Sequence, residues 1–328
     1  MGIPDYIRSR AEKIEQALYG DIPSEPKAVY GMLGDFIARG GKRIRPVLTL
    51  ACASACGGEE DDALPYAVAI ELFHNFTLIH DDLEDRSPMR RGRPTVHEEF
   101  GDAIAINSGD ALYTVVWASL LSKEIPPEKL AQAERLMVSA FSRVVEGQGI
   151  ELNWYRECRF DVSEGDYFRM AGGKTAALIG AACELGAFSA GASEDERTAV
   201  REFGEAIGLA FQIKDDVLNL TADPSKYRKK IGEDIMEGKR SLITIHLLAN
   251  APAEMKRRAV GIFAKEKKTE AEVQEIISMA KEAGSVEYAS KAAEEYVANS
   301  KGALARIRDG KGRELLSGLA DYIVSREK

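Results

Sequence analysis

Apolar residues recur along this chain at spacings of three and four positions, the period of an amphipathic α-helix. No stretch shows the strict alternation of a half-buried strand, and no repeat of fixed period occurs. The pattern predicts helices over residues 5–18, 29–39, 46–55, 61–85, 101–122, 127–156, 163–190, 194–221, 240–250, 252–265, 268–283, 285–307 and 311–326. We therefore predict an all-α helical bundle and, because no linker interrupts the pattern, a single domain over residues 1–328.

The helix predicted over residues 61–85 ends in acidic side chains. Asp81 and Asp85 are four positions apart, which places them on one face of a helix and roughly 6 Å apart along its axis. Like charges so placed repel each other unless a cation lies between them. Hard cations such as Mg²⁺ bind one or two carboxylates together with substrate phosphate oxygens. A metal site is one interpretation, and a solvated acidic helix end is the other.

A second acidic segment follows the apolar run that ends at Ala210. Asp215 and Asn219 again stand at positions i and i+4, although Asn219 offers a neutral oxygen where the first segment has a carboxylate. Two acidic faces, each closing an apolar helix, could converge on one metal cluster. We interpret Asp215 as a ligand, Asp82 and Asp216 as further candidate ligands, and Asn219 as a supporting residue.

Basic residues flank these acids in four segments. They are Gly40-Gly41-Lys42-Arg43-Ile44-Arg45-Pro46, Arg90-Arg91-Gly92, Gly172-Gly173-Lys174-Thr175, and the charged stretch that contains Lys229 and Lys239. Glycines let a backbone approach a ligand closely, and Lys and Arg donate charge-assisted hydrogen bonds to phosphate. Taken singly, each segment also fits a helix cap, a solvated loop, a helix break or a mobile charged loop.

In this order, the motifs resemble those of the trans-isoprenyl diphosphate synthases in the polyprenyl synthetase family, and they span residues 40–240. The resemblance implies the all-helical isoprenoid synthase fold with a central active-site cavity. It implies a Mg²⁺-dependent prenyltransferase that condenses isopentenyl diphosphate with allylic diphosphates, with several metal ions per site and Mn²⁺ as an alternative metal. The metal ligands carried over from the family are Asp81, Asp85 and Asp215, with Asp82 and Asp216 beside them.

The resemblance also assigns the polar residues that bind the two substrates. The isopentenyl diphosphate site falls on Lys42, Arg45, His74 and Arg91. The allylic diphosphate site falls on Arg90, Lys174, Thr175, Gln212, Lys229 and Lys239. Catalytic roles at the developing cation and the leaving diphosphate go to Lys174, Thr175, Gln212 and Lys229. Gly147, Gln148 and Glu151 resemble another family segment, for which we expect a supporting role.

Product length in this family depends on residues just upstream of the first aspartate motif. Phe76 stands five positions before Asp81, small Thr77 stands at four, and Phe73 shares a helix face with Phe76. This arrangement resembles that of archaeal-type geranylgeranyl diphosphate synthases, which points to geranylgeranyl diphosphate as the product. Farnesyl diphosphate, or both products from one enzyme, are the alternatives, and without the resemblance two core aromatics would explain Phe73 and Phe76.

Charge and composition limit the partners. The net charge of −9 argues against nucleic acid as a partner. No uninterrupted apolar run reaches the roughly 18 residues of a membrane span, and the N-terminal stretch lacks a signal-peptide core. Four scattered cysteines fit reduced thiols in the cytoplasm. We expect a cytoplasmic homodimer, as is usual for the family; a class I terpene cyclase and a non-enzymatic helical metal-binding protein are the rival interpretations.

Overall fold

The computed structural model describes residues 2–222 and 231–325. The first half contains helices and one hairpin: α1 (Ile3–Asp21), α2 (Lys27–Ala38), α3 (Ile44–Ala55), α4 (Glu60–Glu84), β1 (Met89–Arg90), β2 (Arg93–Pro94), α5 (Val96–Phe100), α6 (Asp102–Leu121) and α7 (Pro127–Arg156). The second half is helical throughout its described residues: α8 (Glu164–Ala171), α9 (Ala177–Ser189), α10 (Glu194–Thr221), α11 (Glu233–Glu237), α12 (Leu242–Asn250), α13 (Ala253–Phe263), α14 (Glu270–Glu282), α15 (Ser285–Ala303) and α16 (Lys311–Val324). The predicted all-α class is confirmed.

Three local features differ from the sequence prediction. The segment predicted as a loop over residues 86–95 contains the two-residue strands β1 and β2, and α5 follows it. The helix predicted over residues 163–190 is interrupted by a π-helical turn at Gly172–Ala176. The short helix α11 was not predicted. Each of these elements contains five residues or fewer. Such short elements do not show a hydrophobic period that would predict them from the sequence.

The chain divides into two compact units, and the predicted single domain stays a prediction. The first unit comprises residues 1–138, 181–201 and 306–316. Within it α4 packs against α3 and α6, and its residues from Ala67 to Phe73 are buried on all sides. Three acidic residues open α4, where they favour the positive end of the helix dipole. A buried α4 therefore leads to the acidic residues at its C-terminal end.

The second unit comprises residues 139–180, 202–305 and 317–328. Its core is formed by apolar side chains of α8, α12, α13, α14 and α15, together with the last turns of α7 and α10. Capping boxes fix where two of these helices begin: Ser163 with Asp166 at α8, and Thr269 with Glu272 at α14. The core thus holds α8 and α10, the two helices that lead to Lys174 and Asp215.

One helix, α6, is long and apolar enough by length and composition to cross a membrane. In the structure 44% of its apolar window is buried, and it packs against α2, α4 and α5. Asp102, Asn107 and Asp110 interrupt its apolar sequence. We therefore interpret α6 as a core helix of the first unit with one exposed apolar face.

Candidate functional site

The first aspartate motif occupies the C-terminal end of α4. The backbone amide of Asp85 donates to the carbonyl of Asp81 at 2.9 Å, so the helical geometry continues through the motif. Asp81 and Asp85 therefore lie on one face, as the spacing predicts, and both are partly exposed. Asp82 is different, because it is only 1% exposed. The motif thus presents two accessible carboxylates and one buried carboxylate.

Arg90 neutralises the buried carboxylate. Its Nε donates to Oδ1 of Asp82 at 2.7 Å, and its Nη2 lies 2.5 Å from the same oxygen and 3.5 Å from Oδ2 of Asp81. Burial raises the pKa of Asp82, and the hydrogen bond from Arg90 opposes that shift. Partial burial lowers the pKa of Arg90, but the contact with Asp82 outweighs burial and the net shift is upward. The predicted diphosphate-binding arginine is thus held against the predicted metal ligands.

The donor chemistry of this motif fits a hard divalent cation. Asp81 and Asp85 offer carboxylate oxygens, and Oδ2 of buried Asp82 has no hydrogen-bond partner among the described residues. Nowhere in residues 2–222 and 231–325 do three His, Cys, Asp or Glu side chains lie close enough to hold a metal by themselves. Mg²⁺ commonly binds one or two carboxylates and completes its coordination with water and substrate phosphate. The residues therefore suit a metal that is bound together with a diphosphate.

A hairpin turn carries Arg91, the second arginine after the motif. Arg91 and Gly92 form the two-residue connection between β1 and β2, and their φ angles are 54° and 78°. Two positive φ angles are typical of a type I′ turn, which usually carries Asn-Gly. Nη1 of Arg91 donates to Oδ1 of Asn75 at 3.3 Å. Burial, and next the charge of Arg43, lower the pKa of Arg91 to about 10.

The glycine-rich basic segment lies beside this turn. A Cβ atom on Gly41 would be only 3.0 Å from Nη2 of Arg91, so glycine permits the close approach. Arg43 precedes α3 with a φ angle of 49° and buries its side chain completely. It donates from Nη1 to Oε1 of Glu71 at 2.8 Å and from Nη2 to the carbonyl of Ile37 at 2.9 Å. Through these two hydrogen bonds, Arg43 anchors the basic segment to α4 and to the end of α2.

Arg45 and His74 are in direct contact: Nη1 of Arg45 lies 3.2 Å from Nε2 of His74. Burial, followed by the charges of Arg45 and Arg91, lowers the pKa of His74 well below its usual value. His74 is therefore neutral, and its Nε2 accepts the hydrogen bond from Arg45. The structure thus brings together three of the residues predicted for isopentenyl diphosphate, and Lys42 lies exposed on the same segment.

Aromatic rings surround the predicted chain-length residue. The ring centroid of Phe76 lies 5.3 Å from those of Phe73 and Tyr113 and 4.9 Å from that of His80. Tyr113 belongs to α6 and was not identified from the sequence. Thr77 donates from its hydroxyl to the carbonyl of His74 and is partly exposed. The predicted chain-length residues Phe73 and Phe76 therefore belong to a cluster of aromatic side chains contributed by α4 and α6.

In the second unit a π-helical turn presents Lys174 and Thr175. Such turns often occur at functional sites, and here the turn begins at the glycine pair Gly172-Gly173, for which a helix break was one of the interpretations of the sequence. A Cβ on Gly173 would lie 2.6 Å from the carbonyl oxygen of Arg143, and one on Gly147 would overlap the backbone of Lys174. Glycine at both positions lets α7 and the turn approach closely.

Lys174 and Thr175 have defined polar partners in this unit. Nζ of Lys174 lies 2.5 Å from Oε2 of Glu151, which is 7% exposed. The hydroxyl of Thr175 donates to Oε1 of Gln212 at 2.8 Å. Glu151, predicted in a supporting role, is thus the carboxylate that orients Lys174.

The second aspartate motif is anchored by neutral donors. Tyr167 donates from its hydroxyl to Oδ2 of Asp216 at 3.0 Å, and Nε2 of Gln212 donates to Oδ1 at 3.1 Å. Burial, then the charge of Asp234, raises the pKa of Asp216. Asp215, the neighbouring predicted ligand, is partly exposed. The two aspartates therefore differ in the same way as Asp82 and Asp81.

Asn219 anchors the chain that follows this motif. Its Oδ1 accepts from the amide of Asp234 at 3.2 Å, and its backbone carbonyl accepts from the amide of Gly232 at 2.8 Å. Lys239 contacts Asp234 at 3.2 Å and Glu237 at 2.9 Å. The other predicted lysine of this segment, Lys229, lies outside the described residues.

Sequence reasoning missed several residues that hold the predicted ones in place. They are Arg43, Glu71, Asn75, Tyr113, Tyr167 and Asp234. Glu71 and Asn75 carried a readable signal, because they are polar residues inside the apolar run from Ala67 to Ile79. Buried polar groups are usually hydrogen-bonded, so both indicate a network.

Comparisons with known proteins agree with these features. A sequence profile described as polyprenyl synthetase matches residues 26–280. The chain belongs to the polyprenyl synthetase family. A curated relative, the geranylgeranyl diphosphate synthase of Methanosarcina mazei, is 36% identical over 328 residues, which cover 100% of this chain and 99% of the relative. The predicted family is therefore confirmed, and this polyprenyl synthetase is a prenyltransferase.

Two solved structures show the same fold. The geranylgeranyl pyrophosphate synthetase of Pyrococcus horikoshii is 37% identical, with a TM-score of 0.93, and the match covers 99% of this chain and 98% of that one. A polyprenyl synthase from Caulobacter crescentus, solved with calcium and isoprenyl diphosphate, is 29% identical with a TM-score of 0.89 and the same coverage. Members of the family bind diphosphate through a divalent metal.

Proposed function

We propose that this polyprenyl synthetase is a Mg²⁺-dependent short-chain enzyme that condenses isopentenyl diphosphate with allylic diphosphates and releases geranylgeranyl diphosphate. The observation that carries the proposal is an acidic helix end beside a basic cluster in one compact unit. Asp81 and Asp85 suit a metal-bound diphosphate, and Arg45 and Arg91 suit a second one. An enzyme that joins two diphosphates needs both groups, whereas a class I terpene cyclase needs only the first.

The reaction breaks the carbon–oxygen bond of the allylic diphosphate, and the electron pair leaves with the diphosphate. The double bond of isopentenyl diphosphate forms the new carbon–carbon bond, and the released diphosphate takes the proton that is lost. Bound Mg²⁺ supplies Lewis-acid neutralisation of the leaving group. The residues proposed to hold it are Asp81 and Asp85 on α4 and Asp215 on α10, with Asp82 and Asp216 beside them.

Cationic side chains of the protein add fixed positive charge where negative charge develops on the leaving diphosphate. Arg90, Lys174 and Lys239 take this role, together with Lys229. Each of the first three is oriented by a carboxylate in the structure, and a diphosphate would compete with that carboxylate for the cation. Thr175 and Gln212 offer oxygens to the allylic cation, and their mutual hydrogen bond supports this role.

The enzyme is proposed to act as a homodimer in the cytoplasm. The exposed apolar face of α6 supports the homodimer, because Ile106 is 49% exposed and Leu121 63% exposed on that helix. Large apolar side chains that are exposed on one face of a helix are candidates for an association surface. Sedimentation analysis of the Ile106→Glu, Leu121→Glu variant should give a monomer, while the unaltered protein sediments as a dimer. A monomeric unaltered protein would contradict this part of the proposal.

Product analysis tests the proposed reaction. The purified protein would receive Mg²⁺, isopentenyl diphosphate and, in separate reactions, dimethylallyl, geranyl or farnesyl diphosphate. Geranylgeranyl diphosphate should accumulate from all three primers. Accumulation of farnesyl diphosphate from the shorter primers would leave the reaction class intact and overturn the product assignment. Absence of condensation would overturn the proposed function.

Phe76 offers a sharper test of product length. Its ring, packed against Phe73 and Tyr113, is proposed to block further growth of the prenyl tail. Phe76→Ala should lengthen the main product by at least one isoprene unit. Phe160→Ala is a matched control, because Phe160 is also partly buried but packs against Phe263 in the second unit. Unchanged product length in Phe76→Ala would remove the tail-blocking role.

A further inference from the structure

A chain of buried polar side chains leads from the basic segment to Arg91, and its middle members have no role in the proposed reaction so far. The chain runs Arg43, Glu71, Asn75, Arg91. Glu71 is 2% exposed and Asn75 is fully buried, although both lie within an otherwise apolar part of α4. Burying a charge or an amide is costly unless it is hydrogen-bonded, so such groups need partners. Each member of this chain has one.

Arg43 and Glu71 form the fixed end of the chain. Nη1 of Arg43 donates to Oε1 of Glu71 at 2.8 Å, and both side chains are at most 3% exposed. Further contacts from Arg43 to the carbonyl of Ile37 and to Oε1 of Glu15, at 2.9 and 3.2 Å, leave the guanidinium little freedom. Glu71 is therefore held as a rigid acceptor on α4.

Asn75 lies one helical turn after Glu71, and its side chain is hydrogen-bonded to that residue. Nδ2 of Asn75 donates to the carbonyl oxygen of Glu71 at 2.7 Å and lies 3.3 Å from Oε1 of the same residue. Because both of these contacts require an N–H donor, they determine which end of the amide is oxygen. Oδ1 must then face the other way, where it accepts from Nη1 of Arg91 at 3.3 Å.

Arg91 needs such an anchor. Its φ angle of 54° lies in the left-handed region, which is unfavourable for a residue with a side chain. Such conformations persist where the surrounding structure fixes them, and they concentrate at functional sites. The side chain of Arg91 is partly buried near the like charge of Arg43, and burial and this charge lower its pKa. Without a neutral acceptor, repulsion would push the guanidinium away from the basic segment.

We propose that Asn75 is a positioning residue for Arg91. Its amide oxygen fixes the Arg91 guanidinium in the orientation that binds isopentenyl diphosphate, and Glu71, held by Arg43, fixes Asn75. This inference rests on the proposed function, in which Arg91 belongs to the isopentenyl diphosphate site. Asn75 itself contacts no substrate, so its removal should weaken binding of one substrate and leave the chemical step intact.

The test compares Asn75→Ala, Arg91→Ala and the double variant in steady-state assays with farnesyl and isopentenyl diphosphate. Asn75→Ala should raise KM for isopentenyl diphosphate about tenfold, the consequence of losing a hydrogen bond to a charged group. KM for farnesyl diphosphate and kcat should change less than about twofold. The double variant should match Arg91→Ala, because Asn75 acts only through Arg91. Asn299→Ala, an exposed asparagine on α15, is the control.

Thermal unfolding identifies variants that have lost the fold. If Asn75→Ala does not fold, Glu71→Gln keeps the size of the side chain and its acceptor, and should raise the same KM about threefold. An unchanged KM, equal increases in KM for both substrates, or additive effects in the double variant would each overturn the positioning role. If the unaltered protein formed no condensation product, the proposed function would fail first, which is a separate result.

Discussion

The two aspartate motifs end helices of the same kind, yet they are held in different ways. In the first motif Asp82 is held by the positive charge of Arg90, which follows on a hairpin. In the second, Asp216 is held by the neutral donors Tyr167 and Gln212. In both motifs the second aspartate is buried and hydrogen-bonded to a neighbouring side chain, while the aspartate before it is partly exposed.

Within each motif, two adjacent aspartates that look alike in the sequence therefore differ in exposure and in hydrogen bonding. Asp81 and Asp215 are partly exposed and accessible to a metal, whereas Asp82 and Asp216 are buried and hydrogen-bonded to neighbouring side chains. A diphosphate that attracts Arg90 would release the first motif from its ion pair. Among the described residues, the hydrogen-bond partners of Asp216 in the second motif are neutral. We therefore expect the stability of the second motif to depend less on bound substrate and more on pH.

The largest effect should come from the partly exposed aspartates, Asp81 and Asp215. Asp81→Ala should lower kcat about a thousandfold and Asp215→Ala about a hundredfold, because each removes a carboxylate proposed to hold the metal that neutralises the leaving group. Asp62→Ala, on an exposed position at the other end of α4, should retain full activity. Steady-state assays at saturating Mg²⁺ measure all three. A fully active, folded Asp81→Ala variant would refute the metal role.

The ion pair of the first motif should dominate its stability. Arg90→Ala leaves the buried charge of Asp82 uncompensated and should lower the free energy of unfolding by about 3 kcal/mol. Arg86→Ala is the matched control in the same loop, because its pair with Asp102 is exposed and should contribute less than about 1 kcal/mol. Urea denaturation compares the two. Equal losses would show that burial of Asp82 does not matter.

The neutral anchor of the second motif should contribute less. Tyr167→Phe removes one hydroxyl and leaves Oδ2 of Asp216 without that donor, which should cost about 1–2 kcal/mol. If denaturation showed a larger loss for Tyr167→Phe than for Arg90→Ala, the contrast between a charged and a neutral anchor would be wrong.

The two motifs should also differ in their response to pH. Because the pKa of Asp216 is raised, the folded state binds its proton more tightly than the unfolded state does. Stability contributed by this group is complete below the unfolded pKa of about 4 and is lost as pH rises through the folded pKa. Asp216→Asn lacks this group, so without metal its melting temperature should fall less steeply above pH 4 than that of the unaltered protein. Parallel curves would contradict the raised pKa.

Much of the fold could be predicted from the sequence, because long helices show a clear period of apolar residues. The boundaries of α4, α7 and α10 follow from apolar spacing together with flanking glycine, proline and acidic residues. The hairpin was not readable, because its turn uses Arg91 where Asn is usual. The π-helical turn was indicated only indirectly, through the cost of two adjacent glycines in a helical stretch.

In the candidate site, too, some residues could be predicted from the sequence and others could not. Residues that bind or react occur in short motifs, so Asp81, Arg45 and Lys174 could be assigned by resemblance, and these roles stay predictions. Residues that orient them, such as Asn75 and Tyr167, are distant in sequence from what they hold or resemble ordinary core positions. Their function depends on which atoms meet, and a single sequence does not contain that information.

Release of diphosphate from farnesyl diphosphate, measured with and without isopentenyl diphosphate, tests the proposed condensation most directly. We expect release only when isopentenyl diphosphate is present, with one molecule of geranylgeranyl diphosphate formed for each diphosphate released. Release at the same rate without isopentenyl diphosphate would contradict it, because the protein would then ionise a single substrate as a cyclase does.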